Sequence, residues 1–247
     1  MNVRPSAENW ATALQKSLAR WDVTLPSDGL NNFRVYLDEL QSWNQKFNLT
    51  ALREPEHIAL GHFADSLAVL TLDEVFKAKN VSAVDIGSGA GFPGLPLKIM
   101  NKDWHVMLLE SVGKKCDFLR AVIGALELNH ISVLNRRCED LGRDKEHREK
   151  YELVFARALA NLSTLIEYGM PLLKIGGFLV THRGRTAADE VTRVNVALEE
   201  LGGELRGVQH YEIAGLTGSR ALVVIQKVKP TSKYYPRRAG VAAKRPL

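Results

Sequence analysis

The stretch VDIGSGAGFPGLPL, Val84–Leu97, decides how this chain is read. Val84, Asp85 and Ile86 end an apolar strand candidate, glycines follow at 87, 89, 91 and 94, and Pro93 suits the first turn of a helix. Glycines let a backbone turn sharply and approach a ligand closely. Gly89–Gly94 spells G-x-G-x-x-G, and Glu110 follows about 20 residues on, where an acid that binds ribose hydroxyls is expected. That is the pattern of a dinucleotide site. The same glycines also spell Asp85-x-Gly87-x-Gly89-x-Gly91, with an acid at the strand end itself. An aspartate there repels a pyrophosphate. It suits the ammonium of a methionine moiety, directly or through water.

Outward from this loop the chain alternates. VSAVDI, WHVMLLE, ISVLN, YELVFA and GGFLVTH read as strands, with helical stretches between them at LPLKIM, KKCDFLRAVIGALEL and NLSTLIEYGMPLLK. TAADEVTRVNVALEEL reads as a further helix, before strands LRGVQHYEI and RALVVIQKV. Such alternation argues for a mostly parallel sheet covered on both faces. Only AGLTGS separates the last two strands, too short for a parallel crossover, so they should pair as an antiparallel hairpin. A dinucleotide fold would continue with parallel units. An acid at the first strand end and a closing hairpin are typical of S-adenosylmethionine (SAM) methyltransferases. Glu110 would then hold the ribose hydroxyls of the adenosine. The fold class expected is α/β: a Rossmann-like seven-stranded methyltransferase sheet with an antiparallel C-terminal hairpin and an N-terminal helical cap.

Residues 1–75 read as that cap, 76–230 as the SAM-binding domain and 231–247 as a basic tail. In the cap, Phe33, Tyr36, Leu37, Leu40 and Trp43 recur at helical spacing, a stripe that suits a core face. HIALGHFADSLAVL is a second amphipathic segment, in which His62 and Asp65 stand three apart and could face each other at the entry for a base or the cofactor. The tail region from Lys227 carries Lys227, Lys229, Lys233, Arg237, Arg238, Lys244 and Arg245 with no acid. Its cations could track a phosphate backbone, with Tyr234 and Tyr235 stacking on unpaired bases.

The 247 residues suffice for one large α/β domain with an appendage. A net charge of +5 permits a polyanionic partner without demanding one. Cys116 and Cys138 give neither a disulfide framework nor metal-ligand spacing. The N-terminus lacks the apolar run of a signal peptide, and no stretch approaches a membrane span. A cytoplasmic monomer without metal or membrane contact is the expectation.

Several segments together resemble one family. WNQKFNLTAL (43–52), HFADSL (62–67), DIGSGAGFPGLPL, KKCDFL, RCEDL, ARALANL and KYYPRRAGVAAKRPL are similar, in order, to the ribosomal RNA small-subunit methyltransferase G family. The resemblance implies methyl transfer from SAM to N7 of one guanine in helix 18 of 16S rRNA, with the 30S subunit as partner. It implies cofactor contacts at Gly87 and Phe92, at Cys138 and Glu139 on the adenine side, and at Arg157 after the fourth strand, beside Asp85, Gly89, Gly91 and Glu110 from the loop itself. Arg157 could instead hold an RNA phosphate. The family more often has Ala where Cys138 stands, and Lys-Gly where Arg183-Gly184 stand. Arg183, Arg237 and Arg238 join His62 and Asp65 as candidate substrate contacts.

Guanine N7 carries a free lone pair and loses no proton on methylation. An in-line displacement at the methyl then needs no general base and no covalent intermediate, only placement, with N7 about 3 Å from the methyl. That agrees with the absence of an evident catalytic dyad, so no catalytic side chain is assigned. Competing readings are an NAD-dependent oxidoreductase, a non-catalytic ribosome-binding module, and a SAM enzyme acting on a small molecule or protein.

Overall fold

The computed structural model describes residues 9–72 and 81–247; the expected cap boundary near residue 75 lies outside them. Seven strands form one sheet in the order β3-β2-β1-β4-β5-β7-β6. They are β1 (Ser82–Ile86), β2 (His105–Glu110), β3 (Ile131–Asn135), β4 (Tyr151–Arg157), β5 (Leu173–Arg183), β6 (Gly203–Tyr211) and β7 (Arg220–Lys227). The first five are parallel, and β7 runs antiparallel to both β5 and β6. This is the Rossmann-like sheet with a reversed C-terminal hairpin that the sequence predicts. β1 and β4 are central and buried on both faces, which is why SAVDI and YELVFAR read as near-continuous apolar runs. Strand order reverses between them, and such a switch point opens a crevice beyond the carboxyl ends of the strands.

Helices precede the sheet at α1 (Asn9–Ala19) and α2 (Gly29–Phe47). In α2 the predicted stripe is core: Phe33, Tyr36, Leu37 and Leu40 are buried and Trp43 packs against them. Asn48 ends the helix in the left-handed conformation, its N–H returning to the Asn44 carbonyl. One helical run then passes through α3 (Pro55–Ile58), a π-helical turn over Ala59–Ala64, and α4 (Asp65–Leu67). Wide π turns within helices occur frequently at functional sites, and this one carries His62. Phe63 joins Phe33 and Tyr36 with ring centroids 4.9 and 5.2 Å away, and Tyr36 stacks on Phe92 at 5.4 Å. The N-terminal helices and one face of the sheet thus share a single core.

Between strands lie α5 (Gly94–Met100), α6 (Gly113–Ala125), α7 (Cys138–Leu141) and α8 (Leu162–Gly169), with α9 (Ala187–Val191) and α10 (Asn195–Leu201) before the hairpin. Two expectations are corrected. The helix expected over 161–174 stops at Gly169, because Pro171 removes a helical donor; β5 has begun by Leu173. The helix expected over 186–201 is two pieces, broken where β-branched Val191, Thr192 and Val194 cluster.

The C-terminal segment also differs from a free basic tail. Lys227 is fully buried, its ammonium donating to Glu149 at 2.8 Å and to the Met170 carbonyl at 2.9 Å. Arg148 donates to the carbonyls of Thr231, Ser232 and Tyr235. Arg237 closes on Glu167, a carboxylate with no exposure, through Nε at 3.0 Å and Nη2 at 2.5 Å. Short helix α11 (Val241–Lys244) follows, and Thr164 donates to the Ala242 carbonyl. Arg237 is therefore committed to Glu167, with about 26% of its side chain left exposed. Arg238 is exposed, as are Lys229, Lys233, Lys244, Arg245 and Tyr234.

Removing one partner of a buried ion pair strands the other charge, at about 3–5 kcal/mol. Arg237→Met should cost that much in urea unfolding, while Arg238→Met should stay within about 0.5 kcal/mol. Equal, small effects would mean that the Glu167 pair does not hold the segment.

Candidate cofactor and substrate site

A cavity of about 490 Å³ opens at the switch point. Gly87, Ser88, Gly89 and Ala90 form its floor, following β1. Gly87, Gly89 and Gly91 all have positive φ, a region that L side chains rarely enter. Their roles differ. A Cβ on Gly91 would lie 2.4 Å from Leu95 and 2.6 Å from the Tyr36 hydroxyl, so that glycine serves the core. A Cβ on Gly89 would meet nothing closer than the Gly87 carbonyl at 3.8 Å. Gly89 keeps open space that a ligand can fill. Tyr36 fixes the loop from outside, donating its hydroxyl to the Ala90 carbonyl.

Glu110 ends β2 at the cavity wall and fixes the loop from the other side, accepting from Gly89 N at 2.9 Å and Val112 N at 2.8 Å. Each oxygen retains a lone pair for a hydroxyl donor. Cys138 and Glu139 begin α7 on the same side. Glu139 accepts from the Gly240 N–H at 2.8 Å and the Tyr168 hydroxyl at 3.2 Å, and Ala243 lies in the wall beside them, so the C-terminal segment helps to build the cavity. Burial, aided by Glu139, pushes the Cys138 thiol up to about 12, and Cys116 is also raised by burial. Neither thiol is a nucleophile at neutral pH.

Asp85 does not line the cavity. It is fully buried beneath the loop, where Oδ2 accepts from Gly94 N at 3.0 Å and Oδ1 has no partner. Burial raises its carboxyl to about 7. A contact between Asp85 and a ligand must therefore pass through the glycine loop, by way of water or a small shift.

Across the cavity stand Leu49, Thr50, His62, Phe92 and Arg157. His62 stacks on Phe92 with centroids 4.4 Å apart, and the Arg157 guanidinium lies 5.2 Å from the same ring. Arg157 donates to His62 Nδ1, and to Asp65 Oδ2 at 3.0 Å. Asp65 in turn accepts from the Tyr211 hydroxyl at 2.8 Å and pairs with Arg220 at 3.4 Å. Burial, with the Arg157 charge, pushes the His62 imidazole down to about 3, so the ring is neutral. His62 and Asp65 are thus bridged by Arg157 rather than bonded to each other; His62 faces the cavity and Asp65 faces the interior. Arg183 is equally inward, donating to the Ala160 carbonyl at 2.8 Å and to Glu190. It is not in the cavity wall, and its candidacy as a substrate contact is corrected.

Residues not singled out from the sequence also line the cavity: Thr50, Arg136 and Tyr168. Lys115 and Arg136 put cations beside it. Among the described residues no cluster of three or more His, Cys, Asp or Glu is arranged to hold a metal, and no helix is long and apolar enough to cross a membrane.

A glycine-floored cavity at the switch point of a seven-stranded sheet with a reversed last strand defines the methyltransferase class of Rossmann-like folds. Residues 29–222 match the family model described as rRNA small subunit methyltransferase G. The chain is 45% identical over 228 residues to "Ribosomal RNA small subunit methyltransferase G" of Roseiflexus castenholzii, covering 92% of this chain and 95% of the relative. It is 43% identical to the protein of that name from Chloroflexus aggregans, over 97% and 99% of the two chains. A solved structure of a mutant 16S rRNA (adenine(1408)-N(1))-methyltransferase from Catenulisporales acidiphilia shares the fold, with a TM-score of 0.52, 13% identity and coverage of 69% and 91%. The chain belongs to the rRNA small subunit methyltransferase G family, and is a SAM-dependent rRNA methyltransferase.

The open space over Gly89 and the free lone pairs of Glu110 fit that cofactor. Gly89→Ala should lower SAM affinity at least about tenfold in calorimetry and leave the fold near wild type, whereas Gly91→Ala should lower Tm first. The reverse pattern would mean that the cofactor does not lie over Gly89.

Asp85 gives a pH prediction with a definite sign. Its folded value near 7 exceeds the ordinary 3.8, so the native state holds the proton longer than the unfolded chain. Stability from this group should fall as pH rises from about 4 to about 7 and level off above. Asp85→Asn should remove that slope in urea titrations of the cofactor-free protein.

Proposed function

We propose that this enzyme methylates N7 of a guanine in helix 18 of 16S rRNA, acting in the cytoplasm on the 30S subunit or its precursor. The observation that carries the reading is the state of His62. Its Nδ1 accepts from Arg157 and its Nε2 engages Thr50, so neither nitrogen is open to take a proton from a substrate. Of the acids near the cavity, Glu139 is engaged by Tyr168 and Gly240 and Asp65 by Arg157 and Tyr211, and the lone pairs that Glu110 keeps beside its two backbone N–H groups are those that would take the ribose hydroxyls of SAM. A cavity without a ready base suits an acceptor atom that has no proton to lose. Guanine N7 is such an atom; a ring N–H, an exocyclic amine and a ribose hydroxyl are not. The family resemblance supports helix 18 as the address.

SAM supplies the methyl group on a sulfonium. Glu110 would hold its ribose, the backbone around Cys138 and Glu139 would flank its adenine, and Gly87 and Gly89 would admit its amino-acid portion. Phe92, His62 and Arg157 then form one side of the space left for the base. The chain contributes placement and water exclusion. Lys115, Arg136 and the exposed Arg238 are suited to rRNA phosphates.

Labelled SAM and 30S subunits lacking native methylation should give a single labelled site, mapped by N7-specific strand cleavage to helix 18. Label at another atom or helix would defeat the assignment while leaving an rRNA methyltransferase. Cys138→Ala should keep kcat within about threefold, since the thiol remains protonated; a loss of a hundredfold or more would demand a covalent role.

A further inference from the structure

Thr50 lies in the loop between α2 and α3, and that loop is built to hold it. Asn44 donates through Nδ2 to the Thr50 carbonyl at 2.9 Å, and its Oδ1 accepts from Thr50 N at 2.9 Å. The Thr50 side chain reaches the cavity wall with its Oγ1 2.6 Å from His62 Nε2.

The direction of that hydrogen bond is fixed from the far side of the ring. Arg157 Nη2 contacts His62 Nδ1, and a guanidinium can only donate. Nδ1 must therefore carry the lone pair, and the Gly61 carbonyl 3.0 Å away receives no proton from it. The imidazole is neutral, so its one proton sits on Nε2. Nε2 then donates to Thr50 Oγ1. Leu52 N donates to the same oxygen at 3.1 Å. A hydroxyl has two acceptor positions and one donor. Both acceptor positions are filled by protein, and no described group takes the Thr50 proton. The hydroxyl is left able only to donate, at the wall of the cavity.

The wall matters because the cavity has two ends. Glu110, Cys138 and Glu139 flank one; Leu49, Thr50 and His62 flank the other, with Phe92 and Arg157 beside them. If the first takes the adenosine of SAM, the second faces the base to be methylated. On the reacting edge of guanine, N7 and O6 are neighbouring acceptors. N7 must stay free for the methyl group, which leaves O6 as the handle. Adenine places an amino group, a donor, where guanine has O6. We propose that the Thr50 hydroxyl, held as a one-way donor by Arg157 and His62, reads O6 of the target guanine and rejects adenine. A donor facing a donor leaves both unpaired, and sites built for a specific hydrogen bond discriminate most strongly by that route. Thr50 is a specificity residue. O6 loses basicity as N7 gains a methyl, so its contact orients the base and does not lower the chemical barrier.

This inference rests on the reading of the cavity as a guanine-N7 site, and its test separates the two. The substrates are 30S subunits reconstituted with 16S rRNA carrying either guanine or 2-aminopurine at the target position. 2-Aminopurine keeps N7 and the 2-amino group and lacks O6. Single-turnover rates are compared for wild type, Thr50→Val and Thr50→Ser, with SAM affinity measured in parallel. Wild type should favour guanine about tenfold or more. Thr50→Val should lose most of its rate on guanine, keep SAM affinity within about threefold, and reduce the preference to less than about threefold. Thr50→Ser should restore both rate and preference. A slow Thr50→Val that still prefers guanine as strongly as wild type would make Thr50 structural only and overturn the proposal, with the N7 reading intact. Wild-type product mapped to an atom other than guanine N7 would overturn both.

Discussion

One half-buried guanidinium joins the parts of this protein that sequence order keeps apart. Arg157 sits at the end of β4 and donates to Asp65 and His62 from the helical run before the sheet, while covering Phe92 from the glycine loop. Asp65 extends the junction to Tyr211 on β6 and Arg220 on β7. A charge so far withdrawn from water needs an opposite charge beside it, and Asp65 supplies one. Each partner is thereby constrained: His62 keeps one tautomer, Phe92 is covered by an imidazole and a guanidinium, and the hairpin is anchored to the N-terminal helices. The cavity inherits its shape from that junction.

A second set of buried acids does similar work on the opposite side. Glu167 holds Arg237, and Glu139 holds the Gly240 amide and Tyr168. The stretch that composition presents as a basic tail is a strap across α7 and α8. Some of its cations are consumed in holding it down, and others remain outside. The cations left outside are Lys229, Lys233, Arg238, Lys244 and Arg245, which neutralise no internal acid among the described contacts.

Much of the fold was legible because it is written in local pattern. Strand-like stretches of five to nine residues separated by helical periods marked all seven strands, and the six-residue AGLTGS link gave the direction of the last one. Helix ends were less legible, as at Pro171 and the Val191–Val194 break, because one backbone donor or a few β-branched residues decide them. The site divides in the same way. Gly87, Gly89, Phe92, Glu110, Cys138, Glu139, His62 and Arg157 all reach the cavity, and all sit in or beside motifs that local reading could mark. Arg183, Arg237, Asp65 and Asp85 turn inward, because their partners are side chains or amides met only after folding: Glu190, Glu167, Tyr211 and Gly94. Thr50 carried no signal of its own. Its chemistry depends on a proton whose position is set by an arginine more than a hundred residues later in the chain.

The strap also imposes an order on synthesis. A ribosome that has made every strand of the sheet has not yet made Gly240 and Ala243, which complete one wall of the cavity. A nascent chain halted after β7 would have a nearly finished core and an open, acid-lined flank where Glu139 and Glu167 await their partners. The cavity wall is thus closed last, after the sheet is in place, and a premature stop codon even within this short segment would leave a chain assembled around an unfinished pocket.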